Sequence, residues 1–160
     1  MVPTFVIRDA TMADAPGLLD CLRDAFAPFR DAYTPEAFAD TVLTPETLPA
    51  RLQSMTVLVA ASDDGSIAGT VAFSLGHCLE GHLRGMAVRP AGQGRGLATQ
   101  LLTSAEARLR ALGCVRVTLD TSEPLTRAIA FYRRHGYAPT GCVQDFFGMP
   151  LHEFARDLRE

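Results

Sequence analysis

The sequence contains no lysine. All 15 Lys/Arg positions are arginine, set against 18 acidic side chains, for a formal net charge of −3. A chain of that charge lacks the basic surface that sequence-blind nucleic-acid binding demands, so no nucleic-acid partner is expected. The missing lysine also excludes a nucleotide P-loop, whose lysine reaches the terminal phosphates. Long apolar runs are lacking too. No stretch approaches the roughly 20 residues of a membrane-spanning helix, and the start "MVPTFVIRDA" has neither the basic nor the long apolar part of a secretory signal. These absences predict a cytoplasmic protein with no membrane partner.

Metal-ligand spacing is also absent. Cys21, Cys78, Cys114 and Cys142 are far apart, with no C-x-x-C pair and no matching histidines. The expectation is four reduced thiols and no metal site. None of them sits in a setting that would activate a nucleophile. Repeats, low-complexity tracts and linkers are missing as well, so residues 1–160 read as one domain. Apolar residues make up 48% and charged residues 21%, enough for a real core.

What is present is a mixed α/β order. "TFVIRDA" reads as a first strand. A helix follows, with Leu18, Leu19, Leu22 and Phe26 at helical spacing. Thr11 and Asp14 have capping-box spacing, and Pro16 blurs the helix start. Residues 27 to 53, rich in proline and aromatics, suit short helices. "MTVLVAA" and "IAGTVAFSLG" flank the turn "SDDGS" as a hairpin. "EGHLRGMAV" is a strand. If regular, it puts Glu80, His82, Arg84, Met86 and Val88 on one face, and Gly85 marks a bulge. Leu97, Leu101, Ala105, Leu109 and Leu112 mark a long helix ended by Gly113. "VRVTLD" is a strand with Val115, Val117 and Leu119 on one face. "SEPLTRAIAFYRRHG" is a helix, and "YAPTG" and "LHEFARDL" are two last strands.

Between one strand and the long helix lies "RPAGQGRGLA". Amides at a helix start lack partners within the helix and carry partial positive charge. Glycines allow unusual backbone angles and close approach. A pyrophosphate fits such a place, with Arg95 adding charge. The spacing does not match a dinucleotide fingerprint, since its third glycine position falls on Leu97 or Thr99. From the loop alone, a glycine-rich turn without ligand stays open.

In this setting the segment resembles the GCN5-related N-acetyltransferase (GNAT) family. Gln93, Gly96 and Ala98 fill that family's Gln/Arg-x-x-Gly-x-Gly/Ala loop. Ala128, Tyr132, Gly136 and Tyr137 resemble its A-x-x-x-Y-x-x-x-G-F helix, with tyrosine for the last phenylalanine. "VIRDATMADAPGLLDCL" is similar to its opening strand and helix. The resemblance covers nearly the whole chain and is strongest from His82 to Tyr137. It implies a central mixed, mostly antiparallel sheet of about seven strands with four or so helices, strands four and five splayed. It implies acetyl-CoA as cosubstrate. Gln93, Gly94, Arg95, Gly96, Leu97 and Ala98 would meet the pyrophosphate, and the backbone of Met86, Ala87 and Val88 would pair with the pantetheine arm.

Acetyl transfer to an amine needs a neutral nucleophile, a donor for the developing oxyanion and a proton for the departing thiolate. Tyr132 matches the family's general acid. From the helix alone it also reads as a core tyrosine. Some family members carry a glutamate base at the position of His82. Histidine, with an ordinary pKa of about 6.5, suits that task, and Glu80 on the same face, or a water chain, are alternatives. One departure is Leu125, where the family often has an asparagine that contacts the coenzyme. The acceptor pocket is expected from residues 26 to 54 and "CVQDFFGMP". Phe26, Phe29, Tyr33, Phe146 and Phe147 offer an aromatic wall, and Asp31 and Asp145 offer attraction for an ammonium. A small amine or amino-acid-like acceptor is expected first. A protein N-terminus, or binding of acyl-CoA without turnover, are the alternatives. A homodimer built with the C-terminal strands is expected by analogy alone.

Overall fold

The computed structural model describes residues 4–159; Met1–Pro3 and Glu160, with the first part of the "MVPTFVIRDA" reading, lie outside the described residues. Seven strands form one sheet: β1 (Phe5–Asp9), β2 (Thr56–Ser62), β3 (Ile67–Leu75), β4 (Glu80–Val88), β5 (Arg116–Ser122), β6 (Ala138–Phe146) and β7 (Met149–Asp157). Their spatial order is β1-β2-β3-β4-β5-β7-β6. Every neighbouring pair is antiparallel except β4–β5. Five helices complete the fold: α1 (Ala15–Phe26), α2 (Pro35–Thr41), α3 (Leu48–Ser54), α4 (Leu97–Ala111) and α5 (Thr126–Arg134). No helix among the described residues is long and apolar enough to cross a membrane.

The helices cover both sheet faces. Leu101, Leu102, Ala105 and Leu109 of α4 pack on Leu58, Val71, Phe73, Leu83, Val117 and Leu119. Leu18, Cys21, Leu22 and Phe26 of α1, with Leu48 of α3, pack on Val57, Val59, Ala61, Ile67 and Ala72 of the opposite face. Each such aliphatic or aromatic side chain contributes about 1.5–3 kcal/mol by leaving water. Proline begins the short helices of residues 27 to 53, because its missing N–H costs nothing in a first turn. The Thr11 N–H donates to Asp14 across the turn ahead of α1, at 2.8 Å. The α4 stripe ends one residue early. Leu112 is the cap past Ala111 and is 54% exposed, and Gly113, at φ 91°, turns the chain next.

Two features shape the site. The first is the bulge at Gly85. Thr70 pairs with Ala87 but Ala72 pairs with Arg84, so Gly85 and Met86 together oppose one β3 residue. Gly85 has φ 67°, a region that favours glycine. The extra residue inverts the alternation. Ala87 packs into the α1-side core, while Met86 and Val88 pack against the α4 side. The single face expected for Glu80, His82, Arg84, Met86 and Val88 is therefore broken after Arg84. The second is the splay. β4 and β5 pair only from Glu80↔Arg116 to Leu83↔Leu119, and beyond that the two strands diverge.

At the far edge, "CVQDF" belongs to β6 and not to a connection. Only Phe147 (φ 50°) and Gly148 (φ 90°) turn the hairpin, as suits a tight two-residue loop.

Candidate active site

Two cavities open where β4 and β5 diverge, one of about 410 Å³ and one of about 390 Å³. They share Phe26, Met86, Leu125, Ala128 and Tyr132 as a common wall.

The first cavity runs over the start of α4. The first backbone bond of that helix is Gln100 N–H to Gly96 O, at 3.0 Å, so the amides of Leu97, Ala98 and Thr99 have no helical partner. Gly94 and Gly96 have φ 79° and 75°, and a β-carbon on either would meet nothing within 4 Å. The backbone angle, and open room for a ligand, are what these two glycines supply. Gly92 differs: a β-carbon there would come 3.2 Å from Leu97 Cδ1, so its role is close packing. The cavity is lined by Gln93, Gly94, Gly96, Leu97, Ala98 and the Met86–Val88 segment. Leu97 turns its side chain into the core and leaves its amide to the cavity. Arg95 does not join the lining. Arg127 and Arg134 on α5 do, and the Arg127 guanidinium donates to the Gln93 side chain at 3.1 Å. Free amides, a helix N-terminus and nearby arginines make a cradle that fits a pyrophosphate.

Tyr132 borders both cavities. It is 7% exposed, and edge-to-face contacts with Phe131 and Tyr137 hold its ring. Among the described residues its hydroxyl has no hydrogen-bond partner, so a core tyrosine tied to backbone is not what is seen. Burial pushes its pKa well above the usual tyrosine value, so the hydroxyl keeps its proton at neutral pH.

The second cavity holds His82 but not Glu80. Glu80 sits at the start of β4, bonded to Arg116. His82 Nδ1 lies 2.8 Å from Thr118 Oγ1, and its Nε2 lies 3.4 Å from Asp120 Oδ2. The Thr118 hydroxyl also points at the Gly81 carbonyl, 3.5 Å away, so donation in that direction leaves Thr118 to accept from Nδ1–H. When Nε2 also carries a proton, that nitrogen faces Asp120 as a donor. Burial pushes the Asp120 carboxyl up, and the charge on a protonated His82 pulls it back.

The aromatic wall divides. Phe26, Tyr33 and Phe146 line the second cavity, whereas Phe29 lines the first. The Tyr33 hydroxyl and Ser122 Oγ are hydrogen-bonded at 2.7 Å. Asp31 and Asp145 are exposed and outside both linings. The carboxylates facing this cavity are instead Asp40 and Asp120, with Gln144 in place of its neighbour Asp145. Sequence reasoning missed Asp120 and Thr118. The signal was there: they alternate with Val117 and Leu119, so "VRVTLD" has a polar face. It missed Asp40, Arg51 and Arg84 as cavity residues for lack of any local signal. Among the described residues, no group of three or more His, Cys, Asp and Glu could hold a metal ion.

The same architecture occurs in solved acetyltransferases. A GNAT-family acetyltransferase from Staphylococcus aureus superposes with a TM-score of 0.80 at 16% identity, covering 98% of this chain and all of that one. The PaiA N-acetyltransferase of Thermoplasma acidophilum, in complex with coenzyme A, has a TM-score of 0.79 at 16% identity, covering 96% of this chain and 99% of that one. The ribosomal-protein-S18-alanine N-acetyltransferase of Escherichia coli has a TM-score of 0.78 at 17% identity, covering 98% and 96%. At such identities these likenesses establish the fold alone. No curated protein matches the sequence. The family model for the acetyltransferase (GNAT) family matches residues 18–137, three quarters of the sequence and every element from α1 to α5, and the chain belongs to that family.

Proposed function

We propose that the protein is an acetyl-CoA-dependent N-acetyltransferase that acts on a primary amine of a small molecule by direct attack. The observation that carries this reading is Tyr132, which borders both cavities and whose hydroxyl has no hydrogen-bond partner among the described residues. The glycine cradle takes the donor from one side, and the cavity of His82 takes the acceptor from the other. None of the four cysteines lines either cavity, which favours direct attack over a cysteine-bound acetyl group. Four free thiols also suit a reducing, cytoplasmic compartment.

Acetyl-CoA supplies an activated acetyl group as a thioester. The unpaired amides at the start of α4, with Arg127 and Arg134, hold its phosphates. His82 Nε2 accepts a proton from the acceptor ammonium, and Asp120 stabilises the resulting imidazolium. The neutral nitrogen forms a bond to the carbonyl carbon while the carbon–sulfur bond breaks. The Tyr132 hydroxyl donates to the departing sulfur. The second proton of the attacking nitrogen replaces the one that Tyr132 gives up, so no buried phenolate persists and one proton leaves with the products. Proximity lets so weak an acid serve.

Calorimetric titration with acetyl-CoA, with ATP and NAD as controls, is the first test, followed by thiol release with a panel of amines. Acetyl-CoA binding alone and amine-dependent thiol release are expected. Well-folded protein that binds no acetyl-CoA would overturn the reading.

A further inference from the structure

The acceptor cavity contains an arginine that the proposed chemistry does not use. Arg51, on α3, lies half-buried along the cavity wall. Its guanidinium rests over the Gly85 bulge, with Nη1 3.1 Å from where a β-carbon would stand. Glycine at 85 thus makes room for this side chain as well as meeting the backbone angle. The neighbouring Arg84 is ion-paired with Asp40. Arg51 has no acidic partner within ion-pair distance among the described residues; the lining holds Arg51 and Arg84 with Asp40 and Asp120, and the Arg84–Asp40 pair leaves the Arg51 guanidinium without a direct ion-pair contact. Burial and the charge of Arg84 push the Arg51 pKa down to about 10, and Asp40 partly restores it. The group is still a cation at neutral pH. A half-buried guanidinium with no direct ion pair is partly desolvated, and a ligand anion offsets that cost.

We propose that the acceptor is a free α-amino acid, its carboxylate bound by Arg51 and its amine presented to His82 and Asp120. This rests on the acetyltransferase reading above and narrows it. A single guanidinium without an ion-pair contact matches a carboxylate better than a phosphate dianion. Asp120 and His82 of the same lining suit an ammonium. The spacing agrees. Gly85 stands three residues from His82, at most about 10 Å along a strand. A guanidinium–carboxylate contact, the span of an α-amino acid and an amine–imidazole contact add to about 9 Å. A peptide N-terminus has an amide in place of that carboxylate, and a simple amine has nothing there. Phe26, Tyr33 and Phe146 leave an apolar wall for the side chain.

The test compares, for each standard amino acid, the acid, its carboxamide and the corresponding decarboxylated amine, by thiol release from acetyl-CoA. The best acid should exceed its amide and its amine in kcat/KM by about tenfold or more. Arg51→Gln should raise KM for the acid by a similar factor with little change in kcat, which erases the preference over the amide. Arg51→Lys should restore part of it, since the charge returns without the fork. Calorimetry with acetyl-CoA on each variant separates the two readings. If acetyl-CoA binds but amides or simple amines are preferred, or Arg51→Gln penalises acid and amide alike, the amino-acid proposal is wrong and the acetyltransferase reading stands. If acetyl-CoA does not bind the wild-type protein, both fall.

Discussion

His82 Nε2 stands 3.4 Å from Asp120 Oδ2, across the gap where β4 and β5 cease to pair. The two residues belong to neighbouring parallel strands, and Thr118 fixes the imidazole from its other nitrogen at 2.8 Å. His82→Ala should lower kcat/KM by about 10²-fold, the low end for loss of a general base. Asp120→Asn keeps the shape but removes the charge. It should lower kcat and change the pH profile of kcat, with acetyl-CoA affinity unaltered. An undiminished rate in His82→Ala would leave the task to water.

Tyr132→Phe should reduce kcat by about 10²-fold. Acetyl-CoA affinity, read by calorimetry, should change less than twofold, because the ring and its contacts with Phe131 and Tyr137 stay. Equal loss of affinity and rate would remove the acid role.

Gly96→Glu should abolish acetyl-CoA binding, by bulk and like charge at the phosphate cradle. The fair control is Gly113→Ala. Gly113 also has a positive φ, 91°, but ends α4 away from both cavities. Its replacement should cost about 1 kcal/mol of stability and leave binding alone. Equal binding loss in both variants would point to strain and not to the cradle.

Asp14 makes the fold acid-sensitive. Hydrogen bonding from Arg8, then from the Thr11 backbone, outweighs burial and holds its pKa at about 2 instead of 3.8. A carboxyl lowered in the folded state stabilises fully above its unfolded pKa and loses that contribution as pH falls through the folded one. Stability should therefore decline between about pH 4 and 2, and Asp14→Asn should flatten that limb in chemical denaturation. The same variant should lose about 1 kcal/mol at neutral pH, with the cap weakened.

Thiol accessibility checks the packing. Cys78 and Cys142 are exposed, and Cys21 and Cys114 are buried. Burial pushes the Cys21 thiol up to about 12. A thiol reagent at neutral pH should label two cysteines in native protein and all four in denaturant.

Much of this molecule is readable along the chain because the signals are local. Gly94 and Gly96 announce a left-handed backbone ahead of α4, and the apolar stripe from Leu97 to Leu109 announces the helix they open onto. Gly85 announces a bulge inside β4, though not that the bulge would turn Met86 and Val88 away from the face of His82. The Leu125–Tyr132 stripe announces a buried tyrosine, though not a hydroxyl left without a partner.

The sequence by itself determined the strand and helix order, the glycine turn ahead of α4 and the inward face of Tyr132, because backbone conformation and amphipathic period depend on residues a few positions apart. Only the tertiary structure decided that His82 meets Thr118 and Asp120, that Glu80 is bonded to Arg116, and that Arg51 lines the cavity of His82 while Asp31 and Asp145 do not. The physical reason is register and splay. His82 and Thr118 are 36 residues apart in the chain, and a one-residue shift in the pairing of β4 with β5 would part His82 from Thr118 and Asp120.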